Sequence, residues 1–323
     1  MSVADELAAV ARSAAISGGK DPDLVDLEDA IRRLRSKGVD FSVEDGKVVT
    51  ANHPLDRDRE TLLDIGKDHI RLGVVSDPHG GSHHEQLTAL RTFYRHADEL
   101  EVDAFVNGGD MTQGSDKMHL EQPYQVHVHG ADQQANYVIA TYPRSTRPGI
   151  KTYALSGNHD DSFLKDGGIN IVRRICDARP DIEYLGQTGA YLSLGRLNTY
   201  VVHPRGGMPY AKSYRIQKFI EALPIERKIH LLLMGHLHSY DVAQEHGVTG
   251  ILLPCFQSQY GWMASGALHP AIGGVIVDVW LTDEGGVGRV AHEFVRFQAQ
   301  VDDWDRGVSY EVARGWTPDG LVA

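Results

Sequence analysis

Cysteine is scarce. Cys176 and Cys255 are the two in 323 residues, too few for a disulfide framework, and a reducing cytoplasm is the expected compartment. Long apolar runs are missing as well. No stretch of 18 apolar residues occurs, which excludes a transmembrane helix, and MSVADELAAV lacks the basic and apolar regions of a secretory signal. Positive charge is in short supply: 32 Lys+Arg against 44 Asp+Glu leave a formal net charge of −12. That balance argues against broad, charge-driven wrapping of nucleic acid, although metal ions can add local positive charge that a side-chain count misses. No internal repeat or low-complexity tract stands out. A hydrophobic share of 41% and a charged share of 24% are those of a globular chain. The length suits one large domain with an appendage, or two domains. Histidine is the abundant residue, with 17 copies.

The first 66 residues read differently from the rest. LVDLEDAIRRLRSK, residues 24–37, sets Leu24, Leu27, Ala30, Ile31 and Leu34 near one helical face. Its acids come early and its bases late, as the helix dipole favours. Beyond it, FSVE and KVVT flank Asp45-Gly46, a two-residue hairpin signal. Helix followed by hairpin resembles a small winged-helix appendage, in which Arg32, Arg33, Arg35 and Lys37 would touch DNA phosphates. The plainer reading is a solvated helix end, and residues 1–50 hold 7 basic against 10 acidic side chains, contrary to the charge expected of a nucleic-acid binder. Residues 51–66 read as a linker, 67–300 as the catalytic domain, and 301–323 as a polar, Gly-rich tail.

From residue 69 the chain becomes short apolar runs alternating with helical stretches, expected at 84–100, 168–178 and 212–223. Such alternation implies a layered α/β core. Later, GGVIVDVWLT and RVAHEFVRF flank Glu284-Gly285-Gly286 and predict a hairpin. Five of the apolar runs end in residues that carry chemistry. GVVS leads to Asp77-Pro78-His79, AFVN to Gly108-Gly109-Asp110, and YALS to Gly157-Asn158-His159-Asp160. TYVV leads to His203, and LLLM to Gly235-His236-Leu237-His238. In α/β sheets, ligand sites gather beyond the carboxyl ends of strands, so the five blocks can share one crevice. Imidazoles, carboxylates and an amide carbonyl, with no thiolate, suit borderline or hard divalent metals. Seven or eight such side chains are too many for one ion. They serve two sharing a carboxylate, and a pair about 3.5–4 Å apart can clamp a phosphoryl group and activate a bridging water as hydroxide. Any single block is weak evidence; five in order are not.

In that order the blocks resemble the calcineurin-like metallophosphoesterases, over about residues 69–297. The resemblance implies a four-layer αββα sandwich of two mixed β-sheets flanked by helices, and a metal-dependent phosphoester hydrolase with two divalent ions. It implies Asp77, His79 and His238 on one ion, Asn158, His203 and His236 on the other, and Asp110 bridging. His159 matches the family's non-ligand histidine, which stabilises the transition state or protonates the leaving oxygen. Mn²⁺ is the first choice of metal, with Fe, Zn and Ni as alternatives.

The phosphoprotein-phosphatase branch reads Gly-Asp-x-x-Asp-Arg-Gly and then Gly-Asn-His-Glu. Here Gln113 and Gly114 stand where that branch has its acid and arginine, and the later block ends in Asp160. Without the arginine a dianionic monoester loses a clamp. The leading expectation is therefore a phosphodiesterase acting on nucleic acid or a nucleotide. A phosphomonoesterase is the alternative, as is a DNA-binding module with a vestigial metal site, which the cost of burying unused polar ligands disfavours. Asp160 or Asp161 is the candidate to orient His159, or no side chain does. The 46 residues between Asp110 and Gly157 leave room for a substrate-shaping insertion. They carry His119, His127 and His129, with Gln113 before them, either as phosphate or base contacts at the rim or as incidental residues of a helix and loop. Arg205, just after His203, is the candidate replacement clamp. His83 and His84 read as helix N-terminal residues, and the stretch 256–262 either stacks a base or packs in the core.

Overall fold

Apolar runs without alternation predict strands covered on both faces, and the strands at the centre of this chain are of that kind. The computed structural model describes residues 41–44, 47–50 and 59–300, except 208 and 225–227. The helix expected over 24–37, with Arg32, Arg33, Arg35 and Lys37, and the tail 301–323 lie outside the described residues. Two compact units divide the chain, Met1–Leu55 and Asp56–Ala323. In the first, β1 (Phe41–Glu44) and β2 (Lys47–Thr50) pair antiparallel, with Phe41 opposite Thr50 and Glu44 opposite Lys47. That is the hairpin register the Asp45-Gly46 pair predicts.

The second unit holds two six-stranded mixed sheets. One is built from β4 (His69–Val75), β5 (Ala104–Asn107), β6 (Thr152–Ser156) and β7 (Ile182–Gln187), all parallel, with β13 (Gly273–Leu281) and β14 (Val287–Arg296) added antiparallel beyond β4. The other runs in the order β11 (Asp241–Glu245), β12 (Val248–Leu252), β10 (Leu231–Met234), β9 (Leu197–Val202), β8 (Gly189–Leu194) and β3 (Arg59–Leu63). In it β9, β10 and β12 are parallel.

Three buried cores separate four layers. Between the sheets lie Ile70, Leu72, Val74, Val106, Leu231, Leu233 and Ile251. Outside the first sheet, Phe93, Tyr94 and Leu90 of α1 (Leu87–Glu99), Ala135 and Val138 of α2 (Ala131–Thr141), and Ile171 and Ile175 of α4 (Ile171–Ala178) form the second core. Outside the other sheet, Ile216 and Ile220 of α5 (Lys212–Ala222) pack on Leu232, Met234 and Leu252. Strand β10 shows the logic. Leu231 and Leu233 face inward while Leu232 and Met234 face α5, so all four must be apolar. This is the αββα sandwich that the sequence resemblance implies.

The second unit starts earlier than the expected boundary at residue 66. Arg59–Leu63, read as linker, is the edge strand β3, paired in parallel with β8 from Arg59–Ala190 to Leu63–Leu194. Its burial is too sparse to show in sequence, with Thr61 the one buried residue, while Leu63 and Ile65 pack partly onto the inter-sheet core. At about 1 kcal/mol for each half-buried side chain, a chain lacking residues 1–66 should melt about 4–8 °C below one lacking residues 1–55. Calorimetry of the two truncations checks this. Equal melting temperatures would show that β3 contributes nothing.

Candidate metal centre

The five polar blocks leave the carboxyl ends of β4, β5 and β6 in one sheet and β9 and β10 in the other. Neighbouring loops are bonded through their backbones. Asp77 N–H donates to Gly109 O (3.0 Å), His79 N–H to Asp110 O (3.1 Å), and Gly235 N–H to Val202 O (3.0 Å). Among the described residues nine non-glycine residues have positive φ, and five of them are Asp77 (51°), His79 (50°), Asp110 (52°), His236 (79°) and His238 (47°). A left-handed backbone costs a residue with Cβ about 1 kcal/mol or more. Its concentration in these loops marks geometry held for a purpose other than stability. Gly157 meets the complementary demand of close approach, because a Cβ there would lie 2.1 Å from Asp110 Oδ1.

The side chains converge in two overlapping groups. In one, His238 Nε2 lies 3.1 Å from Asp77 Oδ1 and 3.0 Å from His79 Nε2, and His79 Nε2 lies 3.9 Å from both Asp77 Oδ1 and Asp110 Oδ2. In the other, His203 Nε2 lies 3.1 Å from Asp110 Oδ2 and 3.2 Å from Asn158 Oδ1. His236 joins Asp110 and His203 in a set whose donor atoms lie within 4.8 Å of one another. All seven expected ligands are thus brought together, with Asp110 between the groups.

Each carboxylate is anchored by one oxygen and leaves the other to the histidines. Asp77 Oδ2 accepts from His236 N–H (3.0 Å) and from the Ser76 hydroxyl, while Oδ1 faces His238. Asp110 Oδ1 accepts from His159 N–H (2.8 Å), while Oδ2 faces His203. Two imidazoles are oriented in the same way, His203 Nδ1 donating to Gly108 O (2.8 Å) and His236 Nε2 to Gly206 O (2.9 Å). Each keeps its other nitrogen for a ligand. Backbone partners of this kind set tautomer and ring direction in metal sites, and the donor set of carboxylates, imidazoles and an amide fits divalent cations.

Charge is strongly redistributed here. Burial raises the pKa of Asp110, yet His203, His159 and His79 outweigh it and hold the carboxyl well below its ordinary range. Burial also raises Asp77, and His238 and His203 overcome it. His203 answers in the opposite direction: burial lowers it, but Asp110 and Asp77 push it up to about 9. His236, dominated by burial, falls to about 4. Without a cation the carboxylates therefore keep a proton on His203 up to about pH 9, and a metal must displace it. Metal affinity should weaken by up to about tenfold per displaced proton for each pH unit below 9, and level off above. Calorimetric titration in buffers of different ionisation enthalpy should show proton release at about pH 7. Absence of release would contradict the charge balance.

His159 stands between the groups, its ring edge-on to His79 at 4.5 Å between centroids, and its Nδ1 donates to the backbone carbonyl of Gln113 (2.6 Å). That carbonyl, rather than Asp160 or Asp161, orients the ring. Asp160 instead ties two ligand loops together. It accepts from Gly157 N–H (2.9 Å), Met111 N–H (3.1 Å), Thr112 N–H (2.9 Å) and Thr112 Oγ (2.8 Å). Burial, and then the charge of Asp110, lift its pKa to about 7. Asp161 accepts from Gln187 Nε2 (3.2 Å).

The expected substrate contacts are dispersed. The Gln113 side chain is buried in an amide cluster, accepting from Gln257 Nε2 (2.9 Å). His127 packs against Tyr137 and lies 3.4 Å from Glu85 Oε1, and His129 pairs with Asp116 at 3.0 Å; neither lines the cleft. Arg205 is exposed, 3.9 Å from Asp161, and does not line it either. Of the insertion's histidines, His119 does. Leu237, Met263, Leu268, His269 and Pro270 complete a wall that sequence reasoning missed, and Tyr260 from the 256–262 stretch stands with them. Leu237 sits inside the Gly235-His236-Leu237-His238 block, but no motif marks the others, because they reach the site by tertiary return after β12. Phe256 is fully buried, as the packing reading of that stretch expects.

The fold is thus a four-layer α/β sandwich whose strand ends bring together Asp/His clusters that could hold metal ions. The sequence matches the family model for calcineurin-like phosphoesterases over residues 70–253, and the chain belongs to that family. No curated protein matches it. Among solved structures it is similar to an archaeal phosphodiesterase, at 14% identity, covering 70% of this chain and 100% of that one, with a TM-score of 0.37. It is also similar to a 5′-nucleotidase precursor from Thermus thermophilus (11% identity, 73% and 56% covered, TM-score 0.39). A third is Vps29 from Entamoeba histolytica complexed with zinc (13% identity, 70% and 99% covered, TM-score 0.34). Among the described residues no helix is long and apolar enough to cross a membrane.

Proposed function

We propose that this chain hydrolyses phosphodiesters of the nucleic-acid or nucleotide type, with Asp77, His79 and His238 holding one divalent ion. Asn158, His203 and His236 hold a second, and Asp110 is shared. When bound, the ions supply Lewis-acid neutralisation of the phosphoryl oxygens and a nucleophile at neutral pH. Mn²⁺ is the first choice for this mixed carboxylate, imidazole and amide set, with Fe, Zn and Ni as alternatives. The chain's own part is positional. With Nδ1–H committed to Gln113 O, His159 presents Nε2 to the cleft. Protonated, that nitrogen delivers a proton to the departing oxygen and spares the leaving group its charge.

The observation supporting a diester is the lack of a fixed cation for a second phosphate charge. No Lys or Arg is among the described residues lining the cleft. At position 114, where phosphatases carry arginine, the backbone has φ +89° and a Cβ would lie 2.8 Å from His159 O and Met118 Sδ. The loop has no room for a side chain there. A dianionic monoester gains most from such a clamp, so its absence penalises that transition state more than a diester's. With Mn²⁺ loaded, kcat/KM on methyl p-nitrophenyl phosphate should at least equal that on p-nitrophenyl phosphate. A strong preference for the monoester would overturn this reading.

A further inference from the structure

Beside the metal ligands the cleft is lined by a second set of residues of different chemistry. Tyr260, Met263, Leu268 and Pro270 stand there, with Leu237 at the edge nearest the ligands. Tyr260 and Met263 are buried, and Leu268 and Pro270 are half-buried. The wall is built at a set distance from the centre. Ala271 N–H donates to His238 O (2.8 Å), and Phe256 N–H donates to Asp77 O (3.1 Å), so both ends of the segment hang on ligand loops. Inside the segment, Leu268 N–H donates to Met263 O (2.8 Å) and Gln259 Nε2 to Leu268 O (2.7 Å). These bonds reduce the ordering that binding would otherwise cost.

We infer that this wall is a subsite for one ester arm of the substrate, and that the arm is a compact apolar or aromatic ring on a phosphodiester with a single phosphate. The inference rests on the phosphodiesterase reading and narrows it. Cleft size is the first indication: about 210 Å³ is below the roughly 300–1,000 Å³ of sites for drug-sized ligands, so the part of a substrate held against the wall is about one ring system beside the phosphate. Charge is the second. Each further phosphate of a polynucleotide calls for a Lys or Arg partner, and the described lining has neither. Wall composition is the third, since an alkyl or ring surface recovers hydrophobic energy there that a small or charged arm does not.

Calorimetry on the Mn²⁺-loaded full chain tests this with diphenyl phosphate against dimethyl phosphate, which share one phosphate charge. Diphenyl phosphate should bind about tenfold tighter or more. Met263→Ser and Leu268→Ser should each reduce that ratio about threefold or more; Leu268 is half-buried and its variant does not depend on repacking a core. A wild-type ratio near one, a ratio unchanged in both variants, or tighter binding of a short oligonucleotide than of diphenyl phosphate would overturn the inference. Hydrolysis of methyl p-nitrophenyl phosphate by the same samples separates the two readings. Preference without turnover keeps the subsite and refutes the catalytic assignment, and turnover without preference removes the subsite alone.

Discussion

Asp110→Asn should lose both metal ions and with them activity. Asp110 Oδ2 lies 3.1 Å from His203 Nε2 and 3.9 Å from His79 Nε2, so its charge acts on both halves of the centre. A unit charge pair at about 4 Å in an effective dielectric of about 20 is worth roughly 4 kcal/mol, on the order of 10³-fold in affinity for each ion; a divalent ion loses more. The amide can still accept from His159 N–H, so the loop keeps its shape and the loss is electrostatic rather than structural. Elemental analysis beside circular dichroism reads this directly. Normal metal content in a folded Asp110→Asn protein would refute the shared-ligand role.

His159→Ala should keep its metals and lose about 10²–10⁴-fold in rate, the range of a positioned proton donor. Its stability should scarcely change. Gln113 O, which accepts from His159 Nδ1, also accepts from Gln122 Nε2 at 2.8 Å, so removing the ring leaves no orphaned carbonyl. The rate loss should grow with the pKa of the leaving alcohol, small for nitrophenolate and large for an alkoxide, because only a poor leaving group needs the proton. Uniform loss across leaving groups would assign His159 to electrostatic support alone. Loss of metal would instead make it a ligand beside His79 and Asp110.

The strands that carry the centre were legible because each is buried on both faces and ends abruptly in a polar block, as LLLM does before Gly235-His236. The clustering of the candidate ligands was legible because their residue types have few other uses at strand ends. Edge strand β3 was not, since a single buried residue in Arg59–Leu63 makes no pattern. Nor was helix α3 (Asp160–Gly167), whose first turn, Asp160 and Asp161, reads as chemistry rather than as helix start. The orientation of His159 could not be read at all. A backbone carbonyl does it, and carbonyls have no sequence identity. Gln113 shows the related limit: its change from the phosphatase acid was visible, but its burial against Gln257 and Gln122 depends on elements far apart in the chain. The apolar wall around Leu268 escaped for the same reason.

The most direct measurement of the central claim is the metal stoichiometry of the full chain. After removal of metals and reloading with Mn²⁺, elemental analysis of the desalted protein should find two ions per chain, falling to none or a trace in Asp110→Asn. One ion per chain in the wild type, or two retained in Asp110→Asn, would contradict a centre built around a shared carboxylate.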